Sequence, residues 1–202
     1  MSRFVAVLCL WLLPGMGVAQ SVVGSSTVDG RAVELLSNNT WRFSATSAAP
    51  EGCFLIELPV SLCGGTDRWQ RVPVSPTPAV DAMFQLDDRN YAMLIIEGVG
   101  RMDGLTEQSL QEIVLFNASS AAGVPPSAIP ILESYETTID GQSYPTFTFS
   151  AEVQGLSFVY NVSLILQDRS AIQVTTYTIG AGLQPNQRTL HNDFASRLQV
   201  AN

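Results

Sequence analysis

The chain has no lysine: all ten of its basic residues are arginines. It has one histidine, His191, and three cysteines, the first of them Cys9 in an apolar N-terminal run. Eighteen acidic residues set the formal net charge at −8. That balance excludes a general electrostatic footprint for nucleic acid and implies a soluble surface that adheres poorly to anionic membranes. The missing lysines read as compositional bias of a GC-rich or salt-adapted source. No phosphate-cradling glycine loop, dinucleotide fingerprint, zinc motif or G-x-S-x-G elbow occurs. With these signatures absent, the expectation is a non-enzymatic protein with no cofactor and no metal site.

What is present suits one globular domain. The 202 residues are 46% hydrophobic and 14% charged, long and apolar enough to bury a core. Residues 1–19 read as a secretory signal peptide: Arg3, the apolar run 4–13, the Pro14-Gly15 break, then Gly17-Val18-Ala19 with cleavage after Ala19. The run is too short for a membrane span, and Cys9 has no lipoprotein pattern. Cys53 and Cys63 remain after cleavage, and in an exported chain two cysteines this close are expected to form one disulfide. A metal or redox site is the alternative, but C-x-x-C spacing and further zinc ligands are missing.

Residues 20–43 read as a small β-hairpin element. Asp29-Gly30 and Asn38-Asn39 mark turns, around a strand at 32–36 and a return strand at 40–43. The pattern Asp29-Gly30-Arg31-x-Val33-x-Leu35 followed by Asn39-Thr40-Trp41 resembles a short motif near the start of many exported bacterial proteins. Asn39 stands where a glycine is usual, which suits the same positive-φ turn. Residues 44–68 read as a linker and disulfide loop, with a short strand at 54–58.

The main domain is expected over 69–202. Ala82, Phe84 and Leu86 alternate as a strand ending at Asp87-Asp88. The nearly continuous apolar run 91–96 predicts a strand with both faces covered. Residues 106–117 form a helix pattern with Thr106 as N-cap, and 118–130 reads as a long loop. The organising stretch is 131–179. Asp140-Gly141 is a strong hairpin signal. Phe147, Phe149, Ala151 and Val153 share one face of a strand, with Thr148, Ser150 and Glu152 on the other. After Gln154-Gly155, Leu156, Phe158, Tyr160, Val162, Leu164 and Leu166 repeat the alternation, and 171–179 is β-branched. A last helix is expected to open at Gln184-Pro185 and to lay a Leu190, Phe194, Leu198 stripe over the sheet.

This order is that of an α+β fold: an antiparallel meander covered by helices in an α/β/α sandwich, with the small N-terminal β-hairpin element attached. The strand pair 84–88 and 91–97, the helix after Gly104-Leu105-Thr106, the Asp140-Gly141 turn and the Phe194 stripe resemble the PsbP-like α/β/α sandwich. Its relatives include a Ran-binding nuclear import factor. The resemblance covers about residues 69–200 and implies a non-enzymatic domain that docks on a larger partner. No ligand or interface residue carries over.

Candidate chemistry is sparse. His191 with Asp193 and a serine would make a triad only if a nucleophile motif accompanied it, so a surface or helix-boundary histidine is expected. Asp87-Asp88 reads as a tight turn rather than a cation site. Glu133 with Glu136, or Glu97 with Asp103, are carboxylate pairs more simply read as acidic surface. Asn38, Asn117 and Asn161 each open an N-x-[ST] sequence, Asn161 in mid-strand. The expectation is a periplasmic or extracellular accessory protein whose partner is another envelope or secreted protein. The runner-up is a small-ligand or ion binder using the cleft between 118–130 and the sheet.

Overall fold

The computed structural model describes residues 21–28, 31–43, 52–57, 59–64, 68–74, 80–180 and 182–201. The expected leader (1–19), the Asp29-Gly30 turn and most of the linker lie outside them. The fold is α+β, built on a seven-stranded sheet with two helices. An N-terminal sheet comprises β1 (Val22–Val28), β2 (Arg31–Leu36) and β3 (Trp41–Phe43). The sequence reading had only the last two of these strands. Asn39 takes the positive φ of 62° expected of it.

A second hairpin, β4 (Cys53–Glu57) and β5 (Val60–Cys63), carries the Cys53–Cys63 disulfide. The large sheet holds β6 (Gln70–Val72), β7 (Ala82–Gln85), β8 (Asn90–Glu97), β9 (Ile131–Ile139), β10 (Gln142–Val153), β11 (Leu156–Leu166) and β12 (Ala171–Ile179). Its order is β6-β7-β8-β12-β11-β10-β9, and every pairing is antiparallel. The meander closes through the two-residue turns anticipated for it. Asp140-Gly141 has φ of 50° and 75°, and Gln154-Gly155 has 54° and 79°, as type I′ hairpins require.

Helix α1 (Glu107–Ala122) carries the chain from β8 near the middle to β9 at the far edge. Thr106 caps it, its hydroxyl accepting from Ser109 N–H while Ser109 Oγ accepts from Thr106 N–H, a reciprocal cap. The helix runs five residues past the expected end at Asn117. Residues 118–122 are alanines and serines with no breaker, and Gly123 ends it in the left-handed region. The expected long loop is therefore short and contains a 3₁₀ turn, Pro126–Ala128.

Helix α2 (Gln187–Ala195) starts later than the Gln184-Pro185 signal, and Leu198 is not on it. Leu198 opens β13 (Leu198–Val200), which pairs with β5. The four-residue spacing to Phe194 was helical only by coincidence: Leu198 and Val200 are buried with Gln199 less so, which is strand alternation.

Two cores result. On one face of the large sheet, Phe84, Leu94, Ile165 and Ile172 pack with Phe194 of α2 and with Ile56, Val60, Leu62, Leu198 and Val200 of the β13-β5-β4 sheet. On the other, Leu110 and Val114 of α1 pack on Phe147, Phe149, Val162 and Leu164. Helices thus cover opposite faces, and the disulfide hairpin shares one layer with α2.

Candidate functional site

Helix α1 packs on β10 and β11, which leaves β8 and β12 only partly covered on that side. The apolar run 91–96 was expected to be buried on both faces. Instead Ala92 and Leu94 are fully buried, whereas Tyr91, Met93 and Ile95 are half-buried. Met93 and Ile95 border a groove of about 190 Å³ between helix and sheet. Val114, Asn117, Ala118 and Ala121 form its helical wall, spaced three and four apart on one face of α1. Met93 and Ile95 face them, and Phe149, Tyr160 and Val162 continue the apolar lining. Gln173 and Thr175 of β12 supply the polar part of the floor. Among the described residues that line the groove, none is charged.

An aromatic row extends the same face. Ring centroids are 4.8 Å apart for Phe149 and Tyr160, 5.7 Å for Tyr160 and Tyr177, and 5.2 Å for the stacked pair Tyr177 and Tyr91. Burial raises the phenols of Tyr160 and Tyr177 above their ordinary range, and the neighbouring tyrosines add to the rise at Tyr177. These hydroxyls stay neutral and hydrogen-bonding at any physiological pH.

The opposite face holds the histidine, and there the surface expectation fails. His191 is fully buried, Nε2 2.7 Å from Ser163 Oγ and Nδ1 2.9 Å from Thr176 Oγ1. Ser163 Oγ is also 2.7 Å from Thr146 Oγ1. The face of β10 read as the polar side of a half-buried strand is covered here: Thr146 and Thr148 are buried beneath α2 with Asn161 and Thr176. Burial drives the imidazole pKa down to about 3, so it is neutral and serves as a cross-link between helix and sheet. Its hydroxyl neighbours lie in the interior, closed to a substrate.

Asp193 does not orient His191. Its carboxylate accepts from Trp69 Nε1 at 2.8 Å and pairs with Arg68 and Arg197. Asp87 closes the β7–β8 turn, accepting from the N–H groups of Arg89 and Asn90 and from the Asn90 side chain. Burial raises its pKa, but these hydrogen bonds outweigh that and hold it below the ordinary carboxylate value. Glu133 pairs with Arg188, Glu136 accepts from Ser143, and Asp103 accepts from Gly100 N–H. Neither proposed carboxylate pair is brought together. A different one is: Glu57 lies beside Asp81, and burial with that neighbouring carboxylate raises the Glu57 pKa. Glu57 and Asp81 stand 24 positions apart, so no local spacing marks the pair.

Among the described residues no group of three or more metal-ligating side chains forms, and no helix is long and apolar enough to cross a membrane. Asn38 and Asn117 are exposed. Asn161 is buried, accepting from Tyr135 and Thr148, so no glycan fits there in the folded chain.

No protein-family model matches the chain, and a search of curated proteins finds no match. Similar solved structures include cyanobacterial PsbP (CyanoP) from Synechocystis, at 15% identity over 95% of this chain and 99% of that one, with a TM-score of 0.49. LpqN of Mycobacterium tuberculosis, involved in cell envelope biogenesis, aligns at 14% identity over 68% of this chain and 79% of its own, with a TM-score of 0.40. A protein of Bacteroides thetaiotaomicron aligns at 9% identity over 71% of this chain with a TM-score of 0.44, and the chain spans 45% of that protein's length. No family, site residue, ligand or partner is taken from these likenesses.

Proposed function

We propose that this chain is an exported, non-catalytic accessory protein that docks on another envelope or secreted protein. The observation that carries the reading is the outer surface of α1. Phe116 is 60% exposed and Ile113 38%, three residues apart on the same helix, next to a groove without charge. Contiguous exposed apolar surface rimmed by polar residues is a feature of interaction sites. The side chains that chemistry would need support it too. His191 is locked in the interior, Asp193 is tied to Trp69 and two arginines, and Asp87 closes a turn.

Export rests on the signal-peptide pattern of residues 1–19 and on the Cys53–Cys63 disulfide. Intact-mass measurement of the protein from an envelope fraction tests that half. The expected species begins at Gln20 with the disulfide closed, and a full-length reduced chain in the cytosol would contradict it. A photo-crosslinking side chain at position 116 tests docking: it should yield one dominant adduct with an envelope protein, and none if α1 faces only water.

A further inference from the structure

We propose that residues 187–192 of α2 form a lid over the uncharged polar layer of the large sheet, hinged at Phe194 and opened by acid. The hinge end is tied down. Phe194 meets Trp69 at 5.1 Å and Phe84 at 5.4 Å, Asp193 accepts from the Trp69 indole, and β13 pairs onward with β5. The other end has no such anchor. The chain enters α2 through residues 182–186, all exposed, and no side chain caps the helix. Within 187–192 the buried residues are Gln187 and His191, both polar, whereas Phe194 and Ala195 come after the hinge.

Gln187 is 1% exposed, and among the described residues neither end of its amide has a hydrogen-bond partner. Lifting this part of the helix returns the amide to water and uncovers no fully buried apolar side chain, so opening costs less here than elsewhere in the core. Beneath it lie the buried Thr146, Thr148, Asn161, Ser163 and Thr176, joined to one another or to His191. The outer edge is held by an exposed latch: the Arg188 guanidinium lies 4.1 Å from the Tyr135 ring centre and 3.3 Å from the Glu133 carboxylate.

Acid acts through His191, because no carboxylate meets its ring. Strands β11 and β12 present the hydroxyls of Ser163 and Thr176, with Thr146 of β10 behind them. Glu133 and Tyr135 of β9 are engaged by Arg188, and Asp193 by Trp69, Arg68 and Arg197. The closed lid therefore keeps the ring neutral, and the open lid lets it take a proton. Burial lowers the closed-state pKa from 6.5 to about 3, so closure is fully favoured above pH 6.5 and is lost as pH falls through that window.

Residue-resolved amide exchange on purified mature protein, at pH 7 and pH 5 and corrected for intrinsic rates, tests the lid. Freed from the sheet, so short a helix does not persist in water, and the amides of Leu190, His191 and Asn192 report its opening. They should exchange faster than those of Ile165 and Val174 in the central strands. Their opening should rise about 25-fold at pH 5, the ratio given by pKa values of 6.5 when open and about 3 when closed. His191→Gln should remove that rise. Arg188→Ala, an exposed change that leaves the core intact, should raise opening about twofold to fivefold at both pH values. The proposal is overturned if the three amides exchange no faster than Ile165 and Val174, which would make the acid response global unfolding alone. It is also overturned if the rise survives in His191→Gln, or if Arg188→Ala changes nothing. Phe116 lies on the helix of the opposite sheet face, so docking can fail while the lid opens, and the reverse.

Discussion

The indole N–H of Trp69 donates to Asp193 Oδ2 at 2.8 Å, joining the residue before β6 to the last helix across 124 positions of sequence. Trp69 is fully buried and meets Phe194 edge-on at 5.1 Å. Asp193→Ala leaves the N–H buried without an acceptor, which costs about 2 kcal/mol. In a domain of this size the melting temperature should fall by roughly 6 °C, measured by calorimetry, with Asp193→Asn losing less because its amide oxygen still accepts. An unchanged melting temperature for the alanine variant would contradict the contact's role.

His191 predicts an acid-sensitive fold. Its pKa falls from 6.5 to about 3 because burial opposes the charged ring. Between those values the unfolded chain binds a proton that the folded chain does not. Stability is therefore complete above about pH 6.5 and declines as pH falls through the window, by about 3 kcal/mol at pH 4.5. Urea titrations from pH 7 to 4.5 should show the decline. His191→Gln should be less stable at pH 7 but should lack this component of the slope.

How much of this was legible in the sequence depends on which period carried the signal. The Asp140-Gly141 and Gln154-Gly155 turns and the alternation between them are local, and they stand as read. The buried face of α2 was not legible. It includes Gln187 and His191 as well as Phe194 and Ala195, because the sheet beneath presents Thr146, Ser163 and Thr176, and a search for apolar periodicity passes over a polar interior. The groove was hidden for a related reason. The run 91–96 looks doubly buried, but its cover depends on where α1 crosses the sheet, and no residue in the strand records that.

Glu57 predicts the opposite sign from His191. Burial and the Asp81 carboxylate raise its folded pKa above 4.5, so its contribution is favourable at low pH and is lost as pH rises through the raised value. Glu57→Gln should raise the melting temperature at pH 7, and the gain should vanish below about pH 4. A gain that persists at pH 3.5 would show that the carboxylate pair is not its source.

Gly100 is fixed by close approach rather than by an unusual φ. A Cβ there would lie 2.4 Å from the Gln167 carbonyl oxygen and 2.6 Å from that of Asp168. Arg101 and Met102 donate to those same carbonyls at 2.9 Å, so the β11–β12 turn cannot retreat without breaking two hydrogen bonds. Gly100→Ala should cost about 3 kcal/mol, read from chemical denaturation. Gly98→Ala, with open space around it, should be nearly neutral.

The central claim is that the outer face of α1 meets another protein after export. The most direct measurement is in-cell crosslinking of the tagged mature chain, followed by pull-down and mass spectrometry, for the native sequence beside Phe116→Asp. Phe116 is exposed, so the variant should keep its melting temperature. The account predicts one dominant envelope partner with the native chain and its loss with Phe116→Asp. Recovery of a partner-free monomer, or of the same partner at the same yield from the variant, would contradict it.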